Sequence, residues 1–183
     1  MRAHDVKEIL IDKSEIAQRV DELVDGIIKQ SLPENLVVIG ILKGSFMFLA
    51  DLMRSLYRHS VHPRIDFMTL SSYGSGTESS GTVEIIHDIR EYIAGADVLL
   101  VDDILDTGRT LASTKRIMLE RGARSVRSCV LLDKKAHRAV EFEADFKGFE
   151  IDDHFVVGYG LDYDNLYREL PHIAKVSFHG QPR

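Results

Sequence analysis

Short unbroken apolar runs set the rhythm of the chain. Leu36–Leu42 reads LVVIGIL, residues 98–101 read VLLV, residues 125–132 read SVRSCVLL and residues 155–159 read FVVGY. Runs of this length, rich in Val, Ile and Leu, predict strands buried on both faces. Between them the spacing becomes helical. Ile16, Val20, Leu23, Val24, Ile27 and Ile28 recur on one face after Ser14, a suitable N-cap, and the pattern should stop near Ser31, ahead of Pro33. A second helix should begin at Phe46-Met47-Phe48-Leu49. A third carries Leu111, Thr114, Ile117 and Met118, with Gly122 placed to end it. Residues 64–71 and 83–88 predict two further strands, Gly95-Ala96 a turn, and Ile173–Phe178 a last strand. The first residues are polar and are expected to be loosely held. No internal repeat is evident. Strands alternating with helices imply an α/β fold, a mainly parallel central sheet flanked by helices, with ligands bound beyond the carboxyl ends of its strands.

The stretch with most chemistry is residues 98–111, VLLVDDILDTGRTL. Asp102 and Asp103 sit where the strand should end. After Ile104-Leu105 comes a polar loop, Asp106-Thr107-Gly108-Arg109-Thr110, and then a helix N-terminus. Free backbone N–H groups and the positive end of the helix dipole favour a bound anion there. Gly108 permits close approach of the backbone, and Thr107 and Thr110 add hydroxyl donors. The acids narrow the reading. Beside a bare phosphate they would repel, so the ligand should also offer hydroxyl donors, a divalent metal or a proton to move. A buried strand ending in an acidic surface turn is the ordinary alternative. Neither GxxxxGK[ST] nor GxGxxG is present. Lys43-Gly44-Ser45 follows Leu36–Leu42 and precedes a helix, so it is a second candidate anion site, although such a turn is weak evidence by itself.

Bulk properties set the bounds. A chain of 183 residues fits one domain, 1–183. A net charge of −6 argues against nucleic acid as the main partner. Cys129 is the single cysteine, which rules out an intrachain disulfide and fits a reducing compartment. With no signal-peptide pattern and no apolar run long enough to span a membrane, a cytoplasmic protein with no membrane partner is expected. The histidines show no metal-ligand spacing.

An apolar strand, two acids, two apolar residues, then Asp-Thr-Gly-x-Thr closely resembles the signature of the type I phosphoribosyltransferases. The resemblance runs from about Val37 to Phe178. Through LLDKKAHR, DFKGFEIDDHFVVGYGLDY and YREL it is nearest to the hypoxanthine-guanine branch. It implies that branch's fold, with a small hood and a mobile loop. It also implies transfer of a phosphoribosyl group from phosphoribosyl pyrophosphate to a 6-oxopurine, with magnesium as cofactor and a homodimer or homotetramer as assembly.

Carried over residue by residue, Asp102 and Asp103 would engage the ribose hydroxyls, directly or through magnesium. The loop of Asp106, Thr107, Gly108, Arg109 and Thr110 would hold the 5-phosphate, with Asp106 as general base near N7 of the purine. Lys43, Gly44 and Arg168 would hold pyrophosphate, after a cis Leu42–Lys43 peptide. Asp162 would help to bind a second magnesium through its waters. Phe155 would stack on the purine, while Lys134 and the backbone of Val156 read its edge. The loop at Ser72-Tyr73, opening the Gly- and Ser-rich residues 72–82, would close over the site. An ammonium has donors and no acceptor, so Lys134 in that place favours a 6-oxo over a 6-amino group. Asp133 departs from the often apolar residue of the family, and would either pull on Lys134 or face solvent.

Other readings are a regulatory protein that binds the same donor and also a nucleic acid, a receiver domain, and a xanthine-preferring transferase. The acidic balance opposes the first. The second would place its acid pair near the N-terminus, without Thr-Gly-Arg-Thr directly after.

Overall fold

The computed structural model describes residues 4–30, 35–72 and 83–178. The elements run β1 (His4–Ile11), α1 (Lys13–Lys29), β2 (Leu36–Leu42), α2 (Phe46–Arg58), β3 (Arg64–Ser72) and β4 (Val83–His87). They continue with β5 (Asp97–Leu105), α3 (Arg109–Glu120), β6 (Ser125–Asp133), a 3-10 turn at Lys135–His137, β7 (Phe146–Glu150), β8 (Val156–Val157) and β9 (Ile173–Phe178). One sheet has the order β4-β3-β2-β5-β6-β7 and is parallel except for β4, which pairs antiparallel with β3.

The unbroken apolar runs divide their side chains between two cores. Val38, Leu99, Val101, Cys129 and Leu131 pack with residues of α1 and α2 on one face. Val37, Ile39, Val98, Leu100 and Val130 pack with Leu111 and Met118 of α3 on the other. Alternate residues of a strand point to opposite faces, so a sheet covered on both sides needs apolar residues throughout. Crossing over through β2, α2 and β5, α3 brings the loops after both strands to one edge of the sheet.

A second sheet, β1-β9-β8, forms the small hood. From His4 onward it corrects the expectation of a loose N-terminus, while residues 1–3 lie outside the described residues: β1 pairs antiparallel with β9 from His4↔Phe178 to Ile11↔Ile173. The partner lies at the other end of the chain, so no local pattern announces the strand. The cap of α1 is also corrected. Asp12, not Ser14, accepts the first-turn N–H groups, with Oδ1 2.6 Å from Ser14 N and 3.0 Å from Glu15 N. The Glu15 carboxylate accepts Asp12 N at 2.8 Å, closing a capping box.

Two further differences concern strands. β5 does not end at the acids but runs on to Leu105, because Asp102 and Ile104 pair with Val130 and Leu132 of β6. β7 has no counterpart among the predicted elements; its FKGFE is too short and mixed to stand out. Only Val156 and Val157 of the 155–159 run form a strand, since Gly158, Tyr159 and Gly160 turn away at positive φ. Among the described residues, no helix is long and apolar enough to cross a membrane.

Candidate active site

A cleft of about 330 Å³ opens beyond the carboxyl ends of β2 and β5. Asp102, Asp103, Asp106, Thr107, Gly108 and Thr110 enter it from the end of β5 and the start of α3. Gly108, at φ 82°, is the N-cap of α3 and supplies no side-chain cap; Arg109 N makes a long 3.4 Å contact to Thr107 Oγ1, and a helix N-terminus of this kind favours an anion. The positive φ favours glycine, and the space beside it is tight. A Cβ there would stand 3.1 Å from Val140 Cγ2 and 3.2 Å from Arg138 Cδ. Arg109 begins α3 outside the cleft lining.

Lys43 and Gly44 enter from the turn after β2. The Leu42–Lys43 peptide is cis, and Ser45 Oγ donates to Ile41 O at 2.5 Å, closing the turn. A side chain at Gly44 would displace the Asp103 carboxylate, because Asp103 Oδ2 lies 1.6 Å from where its Cβ would be. Gly160 presses on the same turn from the other side; its Cβ would be 2.0 Å from Gly44 O. Tyr159 O–H donates to Asp51 Oδ2 of α2 at 2.7 Å and fixes that approach. Arg168 reaches the cleft by donating Nη1 to Gly160 O at 2.6 Å, and its Nη2 pairs with Asp162 Oδ1 at 2.6 Å. The structure thus brings Asp162 and Arg168 beside Lys43 and the acid pair.

The acids are not at rest. Asp102 is 8% exposed and accepts Asp103 N at 3.0 Å; Asp103 accepts Ile104 N at 2.9 Å. Burial first, and then the neighbouring Asp103 carboxylate, pushes Asp102 well above the usual carboxylate range; burial also pushes Asp103 up. Asp106 Oδ1 is buried without a hydrogen-bond partner among the described residues.

The residues assigned to the purine lie just outside this lining. Lys134 N donates to Leu105 O at 2.9 Å, which seats Lys134 beside the end of β5. Its Nζ pairs with Asp153 Oδ1 at 2.7 Å. Phe155 is 47% exposed and meets Tyr163 edge to face at 5.5 Å, while Val156 is buried in β8. Asp133 neither pulls on Lys134 nor faces solvent. It is buried and paired with Arg138 and, at 3.3 Å, with Lys147. Ser72 ends β3; Tyr73 and the rest of the loop up to residue 82 lie outside the described residues.

With this geometry in place, the comparison with known proteins is decisive. The family model of the phosphoribosyl transferase domain matches residues 6–164. The chain belongs to the phosphoribosyltransferase family. A hypoxanthine-guanine phosphoribosyltransferase of Aquifex aeolicus is 46% identical over 170 residues, covering 92% of this chain and 94% of that protein. A hypoxanthine phosphoribosyltransferase of Escherichia coli K12 is 45% identical over 171 residues, with the same coverage of 92% and 94%. The crystal structure of a hypoxanthine phosphoribosyltransferase from Staphylococcus aureus superposes with a TM-score of 0.88 at 44% identity, covering 94% of this chain and 92% of that one.

Against the family's magnesium requirement, the donor set fits. No group of three or more acids, histidines or cysteines that could hold a metal is preassembled among the described residues. Magnesium keeps several waters and is bound by one or two carboxylates together with substrate phosphates, so an incomplete acidic cleft suits it. Two adjacent carboxylates, both raised by burial and Asp102 further raised by Asp103, are the groups a cation would relieve.

Sequence reasoning missed the supports. Asp153 holds Lys134, Tyr159 and Gly160 brace the Lys43-Gly44 turn, and Arg138 backs Gly108. Only Gly-Tyr-Gly at 158–160 carried a signal, as glycines following an apolar run.

Proposed function

We propose that the protein is a purine-salvage transferase that moves the 5-phosphoribosyl group from phosphoribosyl pyrophosphate to hypoxanthine and guanine. The products are IMP or GMP and pyrophosphate. The observation that carries this reading is the convergence of the Asp106–Thr110 segment, the Lys43-Gly44 turn with Arg168, and the Asp102-Asp103 pair on one cleft. It occurs in a chain 46% and 45% identical, over 92% of its length, to a hypoxanthine-guanine and a hypoxanthine phosphoribosyltransferase.

In the reaction a purine nitrogen bonds to C1 of the ribose, the C1–O bond to pyrophosphate breaks, and the purine loses a proton. Positive charge builds on the sugar as in other glycosyl transfers. The N-terminus of α3, with Thr107, Gly108, Arg109 and Thr110, holds the 5-phosphate. Lys43, the backbone at Gly44 and Arg168 hold pyrophosphate and stabilise its developing charge. Asp106, with an uncommitted buried oxygen, takes the proton that the base loses at N7. Asp102 and Asp103 face the ribose hydroxyls. Asp102, Asp103 and Asp162 would hold magnesium, which would supply Lewis-acid neutralisation of the leaving group. Phe155 stacks on the base while Lys134 and the Val156 backbone read its edge. The Ser72-Tyr73 loop excludes water that would hydrolyse the donor.

The whole chain, 1–183, acts as one domain. It works in the cytoplasm, consistent with the buried free thiol of Cys129. It assembles as a homodimer or homotetramer, for which exposed Ile65, Phe67 and Ile86 on neighbouring strands β3 and β4 offer an apolar face.

The test is nucleotide formation from phosphoribosyl pyrophosphate and magnesium with hypoxanthine, guanine, xanthine and adenine in parallel. Product with hypoxanthine and guanine and none with adenine supports the reading. Donor binding without product from any base would reject it in favour of a regulatory role.

A further inference from the structure

The segment after β6 closes on the 106–110 loop from behind. Lys134 N donates to Leu105 O at 2.9 Å and Ala139 N donates to Thr107 O at 2.9 Å. Between these ties the chain makes the 3-10 turn and sends Arg138 back to Asp133, a carboxylate only 2% exposed. The stem of Arg138 passes beneath Gly108, where a Cβ would stand 3.2 Å from Arg138 Cδ. Lys147 Nζ reaches the other oxygen of Asp133 at 3.3 Å.

A strut could be built more cheaply. Buried ion pairs are often replaceable by apolar residues of similar volume without loss of stability, so this one asks for a second reason. Two atoms supply it. Among the described residues, Arg138 Nη1 and Asp106 Oδ1 are both buried and both without a hydrogen-bond partner, one a donor and one an acceptor. They belong to the two segments joined by the ties at Leu105 and Thr107. Leaving either open is costly, and a shift of the loop that paired them would satisfy both.

We propose that Arg138 is a positioning residue for the transfer step. Anchored by Asp133, it donates Nη1 to Asp106 Oδ1 when the loop settles on the 5-phosphate, leaving the other carboxylate oxygen aimed at the base. A general base oriented by a third group is a recurrent arrangement. Asp133 anchors the guanidinium from the other side, so the hydrogen bond fixes the direction of the Asp106 carboxylate. The proposal rests on the reading of Asp106 as general base, and its test separates the two.

Steady-state kcat and both KM values are measured for Arg138→Met, Arg138→Lys, Asp106→Asn and the double variants, with melting temperatures alongside. Arg138→Met should lower kcat about tenfold with little change in either KM, and Arg138→Lys should recover part of the loss. In the Asp106→Asn background the same Arg138→Met change should cost less than about twofold, because the group it orients is gone. Equal losses in both backgrounds, or a lowered melting temperature with unchanged kcat, would mark a strut and overturn the proposal. Should Arg138→Met not fold, Arg138→Lys in the two backgrounds carries the same comparison, since one ammonium cannot serve both carboxylates. Full turnover by Asp106→Asn alone would remove the general base itself, and the proposal with it. A slow Asp106→Asn enzyme with additive losses would remove only the role of Arg138.

Discussion

Asp97 opens β5 and Asp102 lies in its carboxyl-terminal half, and their surroundings are opposite. Asp97 Oδ1 accepts Arg124 Nε at 3.2 Å, and Arg124 Nη2 and Ser125 Oγ complete its contacts. The Arg124 hydrogen bond above all holds its carboxyl below the usual range, despite the cost of burial. Asp102 has one backbone amide, Asp103 N, and the Asp103 carboxylate instead, and burial pushes it up. Arg168 commits its Nη groups to Gly160 O and Asp162. The partnered acid stabilises the fold. The unpartnered pair stores a demand for a cation and a polyol at the edge where the parallel sheet binds ligands.

The largest expected effect lies at the functional end. Asp106→Asn should lower kcat by about 100-fold or more with donor affinity nearly unchanged, a loss typical of a general base. Rapid-quench turnover beside equilibrium donor binding checks it, and unchanged kcat would remove the proton-acceptor role. Lys134→Ala should raise KM for hypoxanthine by about tenfold, roughly one charge-assisted hydrogen bond, while kcat at saturation is kept. A KM equal to the parent's would leave Lys134 to Asp153 alone.

Stability should then respond with opposite signs at the two ends. The folded-state pKa of Asp102 is raised, so the folded chain binds its proton more tightly than the unfolded chain does. The ligand-free protein therefore loses stability as pH rises from the unfolded pKa towards the folded one. Asp102→Asn should flatten this slope and raise the melting temperature at neutral pH, by about 1–2 kcal/mol of stability. Asp97 has the reverse sign. Its lowered pKa contributes stability that is present above the model value of 3.8 and lost as pH falls through the folded pKa. Asp97→Asn should cost about 1 kcal/mol at neutral pH, because Arg124 is largely exposed, and leave turnover alone. Thermal melts from pH 3 to pH 8, as an approximate span for carboxylate titration, check both. Equal slopes in the two variants would erase the distinction between the ends.

The sequence carried more of the site than of the scaffold's closure. The 98–111 string announced the strand, the acids and the phosphate loop because all three are contiguous. Lys43-Gly44 and Arg168 could be assigned only through resemblance, since a lysine in a turn and an arginine in a polar stretch are ordinary by themselves. What stayed hidden is non-local. β1 finds its partner in β9 at the far end of the chain, the capping box lies with Asp12 two residues before the residue expected, and β7 is too brief for its period to register. The same holds for Asp133. Whether it pulls on Lys134 or faces solvent depended on Arg138 and Lys147, which only the folded chain brings to it.

The most direct test is calorimetric titration of phosphoribosyl pyrophosphate, with and without magnesium, into the parent protein and an Asp102→Asn/Asp103→Asn variant whose melting temperature is measured alongside. The account predicts magnesium-dependent binding by the parent, and a variant that melts higher yet binds the donor at least about tenfold more weakly. A variant that melts lower and binds the donor as well as the parent would mean that the acid pair supports the fold rather than the ligand, and would contradict it.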